Sequence, residues 1–119
     1  MRMRTIILGG LAVLSIFNFA FAQYIGPNAV KTYSTVEEVI KKPVDGAEVS
    51  FQGYLLKKVG NKKYIFSDGT GEIRVDIDND IFPNVAVGAK TKVEVKGEIE
   101  KDFLESPEID VDIIQVMEK

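Results

Sequence analysis

The clearest pattern in the chain runs from residue 64 to residue 78, where apolar and polar side chains alternate on both sides of an Asp68-Gly69-Thr70-Gly71 turn. A period of two residues sends alternate side chains to opposite faces of a strand, and a short Asp-Gly turn joins two such strands into a hairpin. The first limb directs Tyr64 and Phe66 inward, and the second directs Ile73, Val75 and Ile77 inward. The pattern predicts two adjacent strands, the first over residues 63–67, with one buried face and one wet face.

Three further stretches alternate in the same way. Their predicted inward sets are Ala47, Val49, Phe51, Gly53 and Leu55; then Val93, Val95, Gly97 and Ile99; then Ile109, Val111 and Ile113. Gly53 lies in mid-strand, which predicts a bend or bulge that lets the first strand serve both sides of a small barrel. Residues 79–89 are predicted to form a connection with at most one helical turn, and residues 101–107 a polar, charged loop.

One short helix is predicted before the strands, over about residues 35–41. Ser34, with Glu37 three residues later, has the spacing of a capping box. Pro43 stops the helix because a proline displaces the preceding residue from the helical region. The apolar helical face comprises Val36, Val39 and Ile40.

These elements favour a mainly β fold: a small five-stranded OB-type Greek-key barrel preceded by one short N-terminal helix. Five strands divided three and two by a longer connection are typical of that barrel, and an SH3-like barrel is the nearest alternative. We assign residues 1–22 to a cleaved signal peptide, residues 23–45 to a lead-in segment with the short helix, and residues 46–119 to the barrel.

The signal-peptide assignment rests on the first 22 residues. Arg2 and Arg4 precede an apolar run, residues 5–19, and Ala20-Phe21-Ala22 has the small residues that signal peptidase needs, with cleavage after Ala22. An uncleaved membrane anchor is the alternative, because residues 5–22 are just long enough to cross a bilayer. Cleavage predicts a periplasmic protein with no stable membrane insertion.

Charge and composition limit the kinds of reaction and partner that the protein can have. The chain has 15 basic and 18 acidic residues, and loss of Arg2 and Arg4 with the signal would leave 13 basic ones. A negative protein is a poor partner for phosphate backbones, although net charge can also simply maintain solubility. The chain lacks cysteine and histidine, so it has neither thiol chemistry nor the commonest general base and transition-metal ligand. We expect no enzymatic activity and no cofactor.

The sharpest candidate site is the run Asp76, Asp78 and Asp80. On a strand, this spacing would place the three side chains on one face, roughly 6 to 7 Å apart, where carboxylates can share a hard cation. An EF-hand loop is excluded, because Ile81 stands where that loop needs glycine and Val87 where it needs glutamate.

Asp110 and Asp112, with Glu108, repeat the acidic alternation on the last strand. Glu98 and Glu100 would extend the same surface, or pair with neighbouring lysines. The two acidic rows would form one negative surface if the third and fifth strands are neighbours. The alternative is a solvated outer face whose charges discourage aggregation. The candidate ligand-binding residues are Asp76, Asp78, Asp80, Asp110 and Asp112, with no certain metal site.

A basic patch surrounds the first hairpin turn. It comprises Lys57, Lys58, Lys62 and Lys63, with Tyr54 nearby. OB barrels that bind single strands stack bases on aromatic side chains within a basic groove. The rest of the surface is acidic, however, so we expect no nucleic-acid partner.

Several segments together resemble one known family. They are Gly26-Pro27, Thr35-Val36, Phe51-Gln52-Gly53, residues 64–73, residues 75–78, residues 95–98 and residues 108–111. In these the chain resembles the bacterial OB-fold (BOF) family of small periplasmic proteins, of the YgiW/YdeI type linked to stress tolerance. Phe82 and Phe103 stand where that family leads us to expect tryptophan, and Glu100 where aspartate is usual.

The resemblance implies an OB barrel without the usual nucleic-acid surface, a periplasmic location, and binding of a small or cationic ligand during envelope stress. Our first hypothesis is a non-enzymatic binding protein that uses the acidic strand face. One alternative is an adaptor that docks on an envelope protein through an exposed strand or residues 79–89. A single-stranded nucleic-acid-binding domain is the last alternative.

Overall fold

The strand and helix bounds come from a computed structural model that describes residues 31–117. In chain order the elements are β1 (Thr32–Tyr33), α1 (Val36–Lys41), β2 (Glu48–Gly60), β3 (Lys63–Ser67), β4 (Glu72–Asp76), β5 (Lys92–Glu100) and β6 (Glu108–Val116). Residues 31–117 contain no helix with the length and apolar character to cross a membrane. The predicted signal peptide and its cleavage site lie outside the described residues.

The strands close into a barrel. Their order is β1-β2-β3-β4-β6-β5, and β2 also pairs with β5, so five strands form a closed sheet with β1 added beside β2. Within the barrel only β4 and β6 run parallel to each other. This is the arrangement of an OB-type barrel, so the predicted mainly β fold with one short helix is confirmed.

Strand β2 serves both sides of the barrel, as its central glycine predicted. Residues 48–54 pair with β5, and residues 54–60 pair with β3. A Cβ atom at Gly53 would collide with the carbonyl oxygen of Ser67. The glycine therefore permits the close approach of β3 at the point where β2 changes partner.

The inward faces of the strands build one core, and almost every predicted position is buried. Tyr64 is only partly buried. The one exposed position is on β6, where Ile113 is 51% exposed and Ile114 only 7% exposed. Lys96 pairs with Ile113 but Gly97 pairs with Val111, so the strand carries one extra residue between them. Such a bulge reverses the alternation after it. The prediction that Ile113 points inward was therefore wrong.

The N-cap of the helix is one residue later than predicted. Thr35 has extended backbone angles and is the N-cap, and its capping-box partner is Glu38, not the predicted pair Ser34 and Glu37. The Ser34 backbone N–H instead donates to the Glu38 carboxylate at 3.0 Å. The apolar face is also narrower than predicted, because Val36 and Val39 are fully buried while Ile40 is half exposed.

The β3–β4 turn anchors this helix to the barrel. The backbone N–H of Val36 donates to Asp68 Oδ2 at 2.9 Å, and that of Glu37 donates to Thr70 Oγ1 at 3.1 Å. Thr35 Oγ1 accepts from the N–H of Glu38 at 3.2 Å. The first three N–H groups of a helix have no partner within it. Here a side-chain oxygen accepts from each of the three N–H groups, and two of these side chains belong to a turn more than 30 residues away.

The connection from β4 to β5 contains turns and no helix in its described residues 77–91. Ile81, Phe82 and Val87 are partly buried against the core. The rings of Phe82 and Tyr64 stack with centroids 5.5 Å apart. The position where the family resemblance suggests tryptophan thus carries a phenylalanine that packs against the core and stacks on Tyr64.

Candidate functional site

Four carboxylates lie in one register line around the outside of the barrel. Asp76 on β4 is opposite Asp110 on β6, Asp110 is opposite Glu98 on β5, and Glu98 is opposite Glu48 on β2. Adjacent strands lie about 4.8 Å apart, so the line spans about 14 Å. We call these four residues and three neighbours the acidic band: Glu48, Asp76, Glu98, Glu100, Glu108, Asp110 and Asp112.

The ion pairs that the band forms within residues 31–117 lie at one end of it, while Lys96 lies near Glu48, Glu98 and Asp112 without forming an ion pair. Lys63 Nζ lies 3.1 Å from Asp76 Oδ2 and 2.8 Å from Glu108 Oε1. Arg74 Nη1 lies 3.7 Å from Glu108 Oε2. Across residues 31–117, no lysine or arginine forms an ion pair with the other five carboxylates. Glu98 and Glu100, for which pairing with lysine was the alternative, thus form no direct ion pair within the described residues.

Two carboxylates of the band have raised pKa values. Partial desolvation raises the pKa of Asp110, and the charges of Asp112 and Asp76 raise it further. Desolvation likewise raises the pKa of Glu100, with added repulsion from Asp110 and other band carboxylates. Hydrogen bonds to Glu108 and Asp76 raise the pKa of Lys63 above 10.5. The carboxylates thus repel one another and favour any added positive charge.

The predicted ligand-binding residues fall into two groups. Asp76, Asp110 and Asp112 lie together in the band, as expected if the third and fifth predicted strands are neighbours. The strand that carries Asp76 ends there, so Asp78 and Asp80 lie in the following turn and do not continue its outer row. The expectation that all three aspartates share one strand face was wrong at this point.

Asp78 has a local role in that turn. Its Oδ1 accepts from the backbone N–H of Asp80 at 3.0 Å, and its Oδ2 lies 3.7 Å from Lys62 Nζ. The hydrogen bond from Asp80, followed by the charge of Lys62, lowers the pKa of Asp78. Turn stabilisation therefore accounts for this carboxylate without a ligand.

Sequence reasoning did not include Glu48 in the site. Glu48 is at the start of β2, far along the chain from the other acidic residues, and joins them only because β2 closes the barrel against β5. Its outward alternation with Val49 was visible in the sequence, but its neighbour across the closure was not.

The band is not a preformed metal cage. Among residues 31–117, no three acidic side chains are grouped closely enough to hold a metal ion. The carboxylates are instead spread along a line over four strands. The arrangement provides an extended negative surface rather than a closed coordination shell.

The basic patch at the β2–β3 turn is largely engaged within the molecule. Lys63 pairs with two carboxylates and Lys62 with Asp78. The ammonium of Lys58 lies 5.6 Å from the centre of the Tyr64 ring. Two of the four lysines of the patch are thus held in ion pairs with carboxylates of the same molecule.

Together these features define a small OB-fold barrel with a helix anchored on its β3–β4 turn and an acidic band over four strands. Residues 18–116 match the family described as bacterial OB fold (BOF) protein, and the chain belongs to that family. The resemblance inferred from the sequence is confirmed.

Two relatives and one solved structure place the chain within the family. The calcium-regulated OB-fold protein CarO of Pseudomonas aeruginosa is 35% identical over 96 residues, which cover 81% of each chain. The protein YgiW of Escherichia coli is 38% identical over 77 residues, which cover 65% of this chain and 58% of YgiW. The solved structure of YgiW superposes with a TM-score of 0.64 at 35% identity, covering 77% of this chain and 94% of that chain.

Proposed function

We propose that this protein is a non-enzymatic periplasmic binding protein that holds an extended polycation, of the linear polyamine class, along the acidic band. The register line Asp76, Asp110, Glu98 and Glu48 carries the proposal. It places four carboxylates in sequence across the surface, and within residues 31–117 three of them form no ion pair with lysine or arginine.

Energetics support a ligand of opposite charge. Like charges directly opposite on antiparallel strands destabilise a sheet, and two of the three contacts in the line are of that kind. A bound cation removes this repulsion. Partial desolvation is the main cause of the raised pKa values of Asp110 and Glu100, and repulsion from neighbouring carboxylates of the band adds to it.

The shape of the band favours a linear ligand over a single ion. Its charges repeat at about the strand spacing of 4.8 Å, whereas a bound calcium ion needs six to eight oxygen ligands converging on one point. A polyamine has ammonium groups separated by three or four methylene groups, which is a comparable spacing. The relative CarO is described as calcium-regulated, so calcium is the essential comparison.

The test is a titration of ¹⁵N-labelled protein, purified from cells that express the full chain, with spermidine and separately with calcium chloride. We expect spermidine to shift the backbone amides of Glu98 and Asp110, and the shifts to weaken with added salt. The double variant Glu98→Gln with Asp110→Asn should lose them. The matched control is the double variant Asp78→Asn with Asp80→Asn, which removes the same charge outside the band and should bind normally.

Two results would contradict the proposal. Equal loss of binding in both double variants would mean that net charge alone attracts the ligand. Stronger and more localised shifts with calcium than with spermidine would replace the polycation by a divalent ion.

The periplasmic location and the role in envelope stress are part of the same proposal. They are supported by the basic and apolar start of the chain, its small residues before Gln23, and the resemblance to stress-tolerance proteins. Osmotic shock of expressing cells should release a protein whose mass corresponds to a chain that starts at Gln23. A protein retained in membranes with residues 1–22 attached would contradict cleavage.

A further inference from the structure

The β5–β6 loop, residues 101–107, presents two large apolar side chains to solvent. Phe103 is 88% exposed and Leu104 is 86% exposed. The backbone N–H of Glu105 donates to the carbonyl of Asp102 at 3.2 Å, which closes a four-residue turn around them. The sequence analysis described this loop as polar and charged and noted Phe103 only as standing where the family leads us to expect tryptophan. Adjacent exposed apolar side chains at a loop tip are typical of an interaction site.

The backbone of Leu104 strengthens this interpretation. Its φ is 73°, a left-handed conformation that glycine adopts readily at the third position of such a turn and that a leucine side chain disfavours. The turn therefore keeps a leucine where glycine would suit the backbone better. Strained residues of this kind concentrate at functional positions.

A groove of about 720 Å³ adjoins the tip, because Glu105 and Ser106, which follow Leu104, line it. Its apolar lining, which we call its floor, includes Ile40, Ile65 and Pro107. The volume is within the usual range for ligand sites. The partial exposure of Ile40, which the helix pattern did not predict, results from its position at this groove.

The groove also contains a strand edge. β6 pairs with β4 from Arg74 onward, so in the described chain Glu72 and Ile73 have a strand neighbour on the β3 side alone. Both residues line the groove. An extended segment can hydrogen-bond to such an edge and place alternate side chains in adjacent pockets.

The rim of the groove is acidic. Glu72, Glu105 and Glu108 line it, and the one basic lining residue, Arg74, already lies 3.7 Å from Glu108. We propose that the groove and the loop tip form one docking surface for an extended segment of a partner protein, in which apolar side chains alternate with lysine or arginine. The apolar floor and tip would receive the apolar side chains, and the rim carboxylates would pair with the basic ones.

This docking surface is separate from the proposed polycation site, because Phe103, Leu104 and Ile40 lie outside the acidic band. The two proposals share Glu108 alone. The adaptor hypothesis drawn from the sequence named an exposed strand or residues 79–89, and the surface proposed here uses an edge of β4 and none of residues 79–89.

The test uses two synthetic probes and protein purified from cells that express the full chain. One probe is a nine-residue peptide alternating lysine and valine, and the other has glutamate in place of lysine. We expect the basic peptide to shift the amides of Ile73 and Glu105, and the acidic peptide to bind at least roughly tenfold more weakly. Phe103→Ser should weaken the basic peptide by roughly tenfold or more.

Leu104→Gly is the decisive variant. Glycine relieves the left-handed strain, so this variant should be at least as stable as the wild type and yet bind the basic peptide less well. If Leu104 serves only the fold, binding will not change, and the proposal is wrong. Val85→Ser, which removes a side chain that is 60% exposed on another connection, should change neither property.

Other outcomes assign the surface differently and also overturn the proposal. Peptide shifts confined to Glu98 and Asp110 would support the acidic band and reject the groove. Shifts at Ile73 and Glu105 with an oligothymidine would indicate a nucleic-acid surface. Self-association or vesicle binding that Phe103→Ser abolishes would assign the tip to a second copy of the chain or to a lipid surface.

Discussion

Replacement of Asp68 by alanine should separate the helix from its anchor on the barrel. The carboxylate accepts three hydrogen bonds: from the backbone N–H of Val36 at 2.9 Å, from the backbone N–H of Thr70 at 2.9 Å and from the Thr70 hydroxyl at 2.6 Å. Thr70 in turn accepts from the N–H of Glu37 at 3.1 Å. Loss of one side chain therefore weakens both bridges between the turn and α1.

The expected cost follows from the burial of Val36. Its side chain is fully buried, so water reaches its N–H poorly, and a buried donor without a partner costs about 1–3 kcal/mol. The Thr70 contacts are at the exposed edge of the turn and add less. We expect Asp68→Ala to lower the free energy of unfolding by about 2 kcal/mol at pH 7.

The loss should depend on pH. Burial alone would raise the pKa of Asp68, but the hydrogen bonds from Thr70 and Val36 outweigh it and lower the pKa below 3.8. A depressed carboxylate pKa in the folded state gives stability that is present above 3.8 and is lost as pH falls through the folded-state pKa. The difference between wild type and variant should therefore shrink in acid.

Urea unfolding followed by far-ultraviolet circular dichroism, at pH 7 and at about pH 3, measures both effects. Asp102→Ala is the control, because it removes an aspartate from an exposed loop and should change stability by less than about 0.5 kcal/mol. A loss below about 0.5 kcal/mol for Asp68→Ala, or an equal loss at both pH values, would refute the proposed anchoring.

Three further predictions concern the strands. Gly97→Ala should destabilise the protein by about 3 kcal/mol or more in urea unfolding, because the added Cβ would collide with the Asp110 carbonyl oxygen. The control, Gly88→Ala, adds a Cβ that meets nothing within 4 Å and should be nearly neutral. Asp110→Asn should stabilise the protein by about 0.5 kcal/mol at pH 7, because it removes the repulsion between Asp110 and the neighbouring carboxylates. This gain should disappear as pH falls through the raised pKa of Asp110, since protonation of Asp110 then removes the same repulsion from the wild type. Lys63→Met should cost about 1 kcal/mol through its pair with Glu108 at 2.8 Å, and 1 M salt should reduce that loss in the same assay.

The strand faces were predictable because side-chain alternation is a local property of the chain. The predicted strand 63–67 has the bounds of β3, and Val93, Val95 and Ile99 are all fully or almost fully buried. The alternation failed at Ile113, where one extra residue in β6 depends on the partner strand. A bulge of this kind reflects pairing between strands, which the sequence of one strand does not contain.

The candidate site was predictable only in part, for the same reason. Asp76, Asp110 and Asp112 were recognised from their spacing, but the strand that should have carried Asp78 ends before it, in a turn held by hydrogen bonds. Glu48 was missed because its neighbour in the line comes from the closure of the barrel. Phe103 and Leu104 were missed because their exposure depends on the direction of a loop.

The acidic band exists only in the folded barrel. Its central line takes one carboxylate from each of four strands, and in the unfolded chain Glu48 and Asp110 are separated by more than 60 residues. A ligand that bridges the line therefore binds the folded state far better than the unfolded state. It must raise the free energy of unfolding as its concentration rises above its dissociation constant. The carboxylates of the band repel one another in the folded barrel, and a bound polycation would offset that repulsion. Ligand binding would therefore be coupled directly to the stability of the fold.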